Sequence, residues 1–288
     1  MAHPFSRKEL YRTHLEEYSE KWKEYFHFKR SDGILEVRMH SDGGPCRWDI
    51  EIHRALIPAF ADIHFDPENE CVILTGTGDT FLAEFDDESW GRLGYRDKFT
   101  FGHSYDHFYF DQTKEPFALL NLEIPVIAAI NGPLFIHAEL ALLNDIVLCS
   151  ENTTMKDAHF SGVGIVPGDG VHTLFRELLG HVRGKHFLYT GQELDAAELL
   201  RLGLVSEVLP QDELLDRAWD IARTLFMTKD RIQRRITRSL FIQPWRELFT
   251  KELAFGQGLE SWACHSYWPM TDPKYDVSRL EAGEKKED

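Results

Sequence analysis

Pro125-Val126-Ile127-Ala128-Ala129-Ile130-Asn131-Gly132 is the stretch on which the fold is read. A continuous apolar run closed by an Asn-Gly turn describes a short strand buried on both faces. Cys71-Val72-Ile73-Leu74-Thr75-Gly76 and Asp145-Ile146-Val147-Leu148-Cys149 have the same character. Upstream, Trp48 to Ile63 repeats apolar residues at helical spacing through Ile50, Ala55, Leu56, Phe60 and Ile63. Phe26-His27-Phe28-Lys29-Arg30 and Ile34-Leu35-Glu36-Val37-Arg38-Met39 flank Ser31-Asp32-Gly33, the pattern of a hairpin around an Asp-Gly turn. Short buried strands alternate with helices and no period of two dominates. That predicts an α/β chain with both sheet faces covered.

After Val205 the character changes. Gln211 to Met227 and Arg231 to Glu260 are helical in pattern. The predicted organisation is an N-terminal extension or surface helix over residues 1–25, an α/β core over 26–209, a helical C-terminal region over 210–270 and a polar tail over 271–288. No internal repeat or low-complexity block interrupts it.

The 288 residues carry 32 Lys+Arg against 48 Asp+Glu, a formal charge of −16. That balance argues against a nucleic-acid partner and against docking on anionic lipid, because both need clustered cations. The four cysteines form no C-x-x-C pair, which removes a zinc ribbon or thioredoxin-like site and fits reduced thiols in a cytoplasmic compartment. Met1 to Lys21 lacks an apolar signal region. Val126 to Leu148 is broken by Asn131, His137, Glu139, Asn144 and Asp145, so no membrane span is expected.

Several motifs are set aside. Gly76-Thr77-Gly78 follows a strand, but Phe81 stands at the third glycine position of a dinucleotide fingerprint. No P-loop and no G-x-S-x-G elbow occurs. His103 and His107 have i, i+4 spacing in an aromatic run, yet no third ligand accompanies them, so neither a metal nor another cofactor is expected. The four arginines between Arg231 and Arg238 read as the solvated face of a helix.

The chemistry-bearing residues gather between Asn131 and His172. His137, His159 and His172 fall among Glu139, Asp157 and Asp169, at ends of predicted strands, where α/β sites collect. A histidine held by a carboxylate can act as a general base, and His159 with Asp169 is the candidate pair, provided the glycine-rich turn between them folds back.

These segments carry a resemblance. Ile73 to Phe81, Pro125 to Gly132, Gly164-Ile165-Val166-Pro167-Gly168, Leu188 to Ala196 and Gly203 to Val208 look like the crotonase (enoyl-CoA hydratase/isomerase) superfamily, in family order, from about Phe26 to about Trp262. The resemblance implies a spiral of ββα units with a helical C-terminal trimerisation region. It also implies an oxyanion site for an enolate-like intermediate. Ala83 stands at the family's first oxyanion donor, but Glu84 replaces the usual glycine. Phe135-Ile136-His137 replaces the glycine run of the second. Glu139 falls on one catalytic acid of hydratases, and Phe160 on the other.

The departures resemble a subgroup, 6-oxocamphor hydrolase and related β-diketone hydrolases. That resemblance implies five roles. His159 activates water, and Asp169 orients it. His137 binds or protonates the oxygen that becomes an enolate. Trp48 donates its indole N–H near a carbonyl, and Glu260 is a supporting polar group. Ala83, Glu84, Glu139 and Phe160 would line the substrate. The implied reaction is retro-Claisen cleavage of a neutral, cyclic 1,3-diketone to a keto acid, in a pocket rimmed by aromatics such as Trp90, Phe101 and Phe108, by a homotrimer or dimer of trimers. Two alternatives remain open: a hydratase or isomerase acting on a CoA thioester through Glu139, and a non-catalytic scaffold of the same fold.

Overall fold

The computed structural model describes residues 12–86, 88–89, 102 and 104–266. Trp90, Phe101 and His103 fall outside these residues, as do the side chains of His107 and Phe108 and residues 267–288.

A six-stranded sheet forms the centre. Its strands are β1 (Phe26–Ser31), β2 (Ile34–Met39), β4 (Cys71–Thr75), β6 (Val126–Ile130), β7 (Ile146–Ser150) and β10 (Glu207–Leu209), adjacent in that order. β1 runs antiparallel to β2, and every other pairing is parallel. The hairpin turns through Asp32 and Gly33, at φ 52° and 81°, the left-handed pair that matches strand twist. The continuous apolar runs at β4 and β6 are buried at every position, as two covered faces require. The register sets Val72 beside Val126 and Ala128 beside Val147.

Helices cover the sheet. α1 (Leu15–Lys21) is more than a surface helix. Tyr18 is buried, its hydroxyl donates to Asp66 at 3.2 Å, and Trp22 donates to Asp62 at 2.8 Å. Both carboxylates lie at the end of α2 (Ile50–Phe65). α2 starts two residues later than the periodicity from Trp48 suggested, because Asp49 caps it by accepting from Ile52 N at 2.8 Å. Trp48 belongs instead to a two-residue strand, β3 (Arg47–Trp48), parallel to β5 (Glu84–Phe85). α3 (Glu115–Leu120) and α4 (Glu139–Leu142) flank β6. A second small sheet pairs β8 (Thr154–Met155) with β9 (Leu194–Asp195); α5 (Val171–Leu179) packs on α6 (His181–Thr190), and α7 (Ala196–Leu202) on β9.

Beyond β10 the described elements are helical: α8 (Leu214–Ile221) and the long α9 (Arg231–Ser266). Here the reading of the arginines is corrected. Arg234 and Arg238 are buried, Arg235 is half-buried, and Arg231, the exposed one of the four, pairs with Glu70 at 2.8 Å. Arg238 donates to Leu122 O at 2.6 Å and Leu119 O at 3.1 Å and pairs with Asp145, whose carboxylate also accepts from Val126 N. The guanidinium closes the carbonyls left at the end of α3, a buried task that charge spacing along α9 does not show.

The ends of β4 and β6 are joined by one side chain. Asn131 Oδ1 accepts from Gly76 N at 3.0 Å, and its Nδ2 donates to Gly78 O at 2.9 Å and Thr80 O at 3.1 Å. The two turns touch so closely that a Cβ on Gly132 would lie 1.7 Å from Asp79 O, and one on Gly76 2.7 Å from Asn131 Oδ1. This contact explains the Gly76 and Asn131-Gly132 signature. Asn131→Ala leaves three backbone groups without their partner and is expected to cost roughly 1–3 kcal/mol in urea unfolding. A midpoint equal to that of the parent would contradict this assignment.

Candidate active site

The segment after Asn131 delivers the first functional group. Leu134 bridges to Leu82 on one side and Met155 on the other, which pins the chain before it turns. His137 then adopts φ 51°, a left-handed conformation uncommon outside glycine. The turn sets His137 Nδ1 at 2.5 Å from Glu139 Oε1 and 3.4 Å from Glu115 Oε2. The Trp48 ring lies 4.2 Å from the His137 ring, centroid to centroid.

The second group lies after β8. Asp157 Oδ1 accepts from His159 N at 3.2 Å, while its Oδ2 faces His159 Nδ1 at 2.9 Å. Asp169 Oδ2 stands 3.3 Å from the other ring nitrogen, Nε2. The glycine-rich turn therefore does bring His159 and Asp169 together, and Asp157 is a second carboxylate on the same imidazole. Asp169 Oδ1 accepts from Val171 N at 3.2 Å at the start of α5. Asp169 Oδ2 is also 4.0 Å from His137 Nδ1, so it links the two histidines.

α9 closes the site from the C-terminal side. A Cβ on Gly256 would meet His172 Cε1 at 2.4 Å and Gly168 O at 2.5 Å. Only glycine allows the helix this close. Glu260, one turn on, is buried against the Gly168-Asp169 step.

Two members were not anticipated. His53 is fully buried on α2, 3.3 Å from Glu115 Oε2 through its Nε2. Glu115 opens α3 and is 2% exposed. His53 interrupts the apolar stripe of Leu56, Phe60 and Ile63, which is the signal that could have revealed it. Glu115 looks like any acid in a helical first turn and gave none. Of the remaining candidates, Ala83 is half-buried just before β5 and Glu84 is exposed on β5, beside the strand that carries Trp48. The Phe160 ring is 55% exposed and packs on Tyr189 at 5.0 Å.

Electrostatics sorts these groups. Burial alone would push His159 towards the neutral form, but Asp157 and Asp169 outweigh it and hold the imidazolium well above the usual histidine range. Burial would likewise raise Asp169, yet the His159 cation keeps its carboxyl below the usual carboxylate range. Glu139 is held well above its ordinary value by burial and by the Asp169 and Glu115 carboxylates. Glu260 is raised the same way by burial and Asp169. The site thus combines a charged pair, His159 with Asp169, and protonated acids around it.

The chain matches the enoyl-CoA hydratase/isomerase family over residues 30–257. It is 32% identical over 203 residues to a carnitinyl-CoA dehydratase of Salmonella paratyphi A, covering 70% of this chain and 74% of the relative. Among solved structures it is similar to a β-diketone hydrolase from the cyanobacterium Anabaena sp. PCC 7120, bound to (S)-3-oxocyclohexyl acetic acid. That likeness is 38% identity over 91% of this chain and 98% of the other, with a TM-score of 0.80. A probable enoyl-CoA hydratase from Mycobacterium smegmatis shares the fold, at 21% identity, 84% and 96% coverage and a TM-score of 0.73.

The raised His159 value fixes the sign of a pH effect. The stabilisation from its charge is complete below about pH 6.5, the unfolded value, and is lost as pH rises through the higher folded value. Asp157→Asn should therefore cost more stability at pH 6 than at alkaline pH. In an NMR titration the His159 ring should lose its proton at lower pH than in the parent. An unchanged titration in the variant would refute the pairing.

Proposed function

The chain belongs to the enoyl-CoA hydratase/isomerase family, and within that family we propose that it hydrolyses a carbon–carbon bond of a cyclic 1,3-diketone. One observation carries the reading. The N–H groups of Phe135 and Ile136 both donate to Leu82 O, at 2.9 and 3.3 Å. These amides occupy the stretch that replaces the glycine run, so they are turned away from any thioester oxygen. His137, next in the chain, stands in their place.

In the proposed reaction, neutral His159 takes a proton from water through Nε2, while Asp157 holds the Nδ1 proton. Hydroxide adds to one carbonyl of the diketone. The tetrahedral adduct collapses to a carboxylic acid, and the bond to the central carbon breaks with its electron pair retained on that carbon as the enolate of the second carbonyl. His137 meets the enolate oxygen, beside the Trp48 indole. The central carbon then takes a proton, and one diketone plus one water becomes one keto acid. Expelling carbon is slow unless donors are already aimed at the enolate, so most of the rate would come from His137.

The Anabaena relative supports the substrate class. Its bound (S)-3-oxocyclohexyl acetic acid is a keto acid. Joining its carboxyl carbon to a ring carbon beside the ketone regenerates a bicyclic 1,3-diketone. The carnitinyl-CoA dehydratase relative favours a second reading, a CoA thioester substrate with Glu139 as acid or base. Calorimetry separates the two: the diketone reading expects no heat on adding CoA.

His159→Ala should lower kcat by about a hundredfold or more, and His137→Ala by a similar factor, on a bicyclic 1,3-diketone. Full activity in either variant would sink the mechanism. The base form of His159 is neutral, and Asp157, Asp169, Glu139 and Glu260 face it. Activity should therefore rise towards alkaline pH, with Asp157→Asn moving that limb to lower pH. Exposed Ile232, Ile236, Leu240, Phe241, Phe255 and Trp262 on α9 support self-association. Light scattering should give the mass of a trimer or a dimer of trimers, and a monomer would contradict it.

A further inference from the structure

His53, Glu115 and His137 converge from α2, α3 and the turn after β6, and all three are buried. Their facing atoms are His53 Nε2, Glu115 Oε2 and His137 Nδ1. The carboxylate oxygen lies 3.3 Å from the first nitrogen and 3.4 Å from the second. A tetrahedral zinc site with ligands about 2.0–2.1 Å from the ion spaces its donors about 3.3–3.4 Å apart, and all three facing atoms here lie within 4.8 Å of one another. Two imidazoles and one carboxylate are the donor set of open zinc sites, and imidazole also suits cobalt and nickel.

We propose that His53 Nε2, Glu115 Oε2 and His137 Nδ1 bind one divalent transition-metal ion of the zinc class. Glu139 Oε1, at 2.5 Å, is a hydrogen-bond partner of the same His137 nitrogen rather than a fourth ligand. Binding needs the lone pair of His137 Nδ1, so that nitrogen carries no proton while the ion is held. The ion would also take from Glu139 its hydrogen bond to His137. On the hydrolase reading above, zinc therefore competes with the form of His137 that meets the enolate oxygen and acts as an inhibitor.

The test does not use activity. Chain stripped with a chelator and dialysed against zinc should retain one ion per chain. Cobalt in its place should show the intense visible absorption of a tetrahedral site. Glu115→Gln and His53→Gln should each weaken binding by about tenfold or more. X-ray absorption of the zinc-loaded parent, which needs no variant to fold, should show imidazole and carboxylate ligands at about 2.0–2.1 Å. No retained ion, a six-oxygen or thiolate shell, or equal affinity in both folded variants would overturn the site. That result would leave the diketone reading untouched, since no step of it uses a metal.

Discussion

The Asn131 amide is the contact on which the site depends. It satisfies three backbone groups of the Gly76–Thr80 turn from the end of the neighbouring strand. Two parallel strands alone do not fix where the chain goes after each one ends. The amide does, and the glycine at 132 lets the two turns lie in contact. From that fixed point Leu134 is held between Leu82 and Met155, and His137 can be forced into a left-handed turn that a freer loop would relax. Stability in the turn is thereby converted into the position of a ring nitrogen.

The site that results is unusual in its balance of charge. Asp157, Asp169, Glu115, Glu139 and Glu260 are all buried around three histidines. Five buried carboxylates cannot all be ionised against that many imidazoles. Geometry decides which are. Asp169 keeps its charge because His159 Nε2 and the Val171 amide both face it. Glu139 and Glu260 are driven towards the neutral acid, because burial and the Asp169 carboxylate outweigh the pull of the His159 cation. An arrangement that holds one charged dyad beside proton-bearing acids suits a reaction in which water loses a proton and a carbon gains one. Five of the carboxylates counted in the formal charge of −16 therefore lie in this buried cluster and not on the surface.

Much of this was legible in the sequence, for physical reasons. Doubly covered strands must be continuously apolar, so β4, β6 and β7 stood out. Histidines and acids are costly inside an apolar, glycine-rich stretch, so His137, His159 and Asp169 stood out too. Glu115 did not, because an acid at a helix start is commonplace and only the fold brings it to His53 and His137. His103 and His107 have metal-ligand spacing along the chain but no third ligand, whereas the cluster of His53, Glu115 and His137 comes from three distant segments. Arg238 reads as a solvated charge until its acceptors, two buried carbonyls and the half-buried Asp145 carboxylate, are seen. Side-chain spacing reports neighbours on one element, and these residues act between elements.

The most direct measurement is the fate of water oxygen. Purified chain incubated with a bicyclic 1,3-diketone in heavy-oxygen water should yield a keto acid carrying the label in its new carboxylate, because hydroxide adds to the carbonyl before the carbon–carbon bond breaks. Unchanged diketone, together with turnover of a CoA thioester by the same preparation, would contradict it.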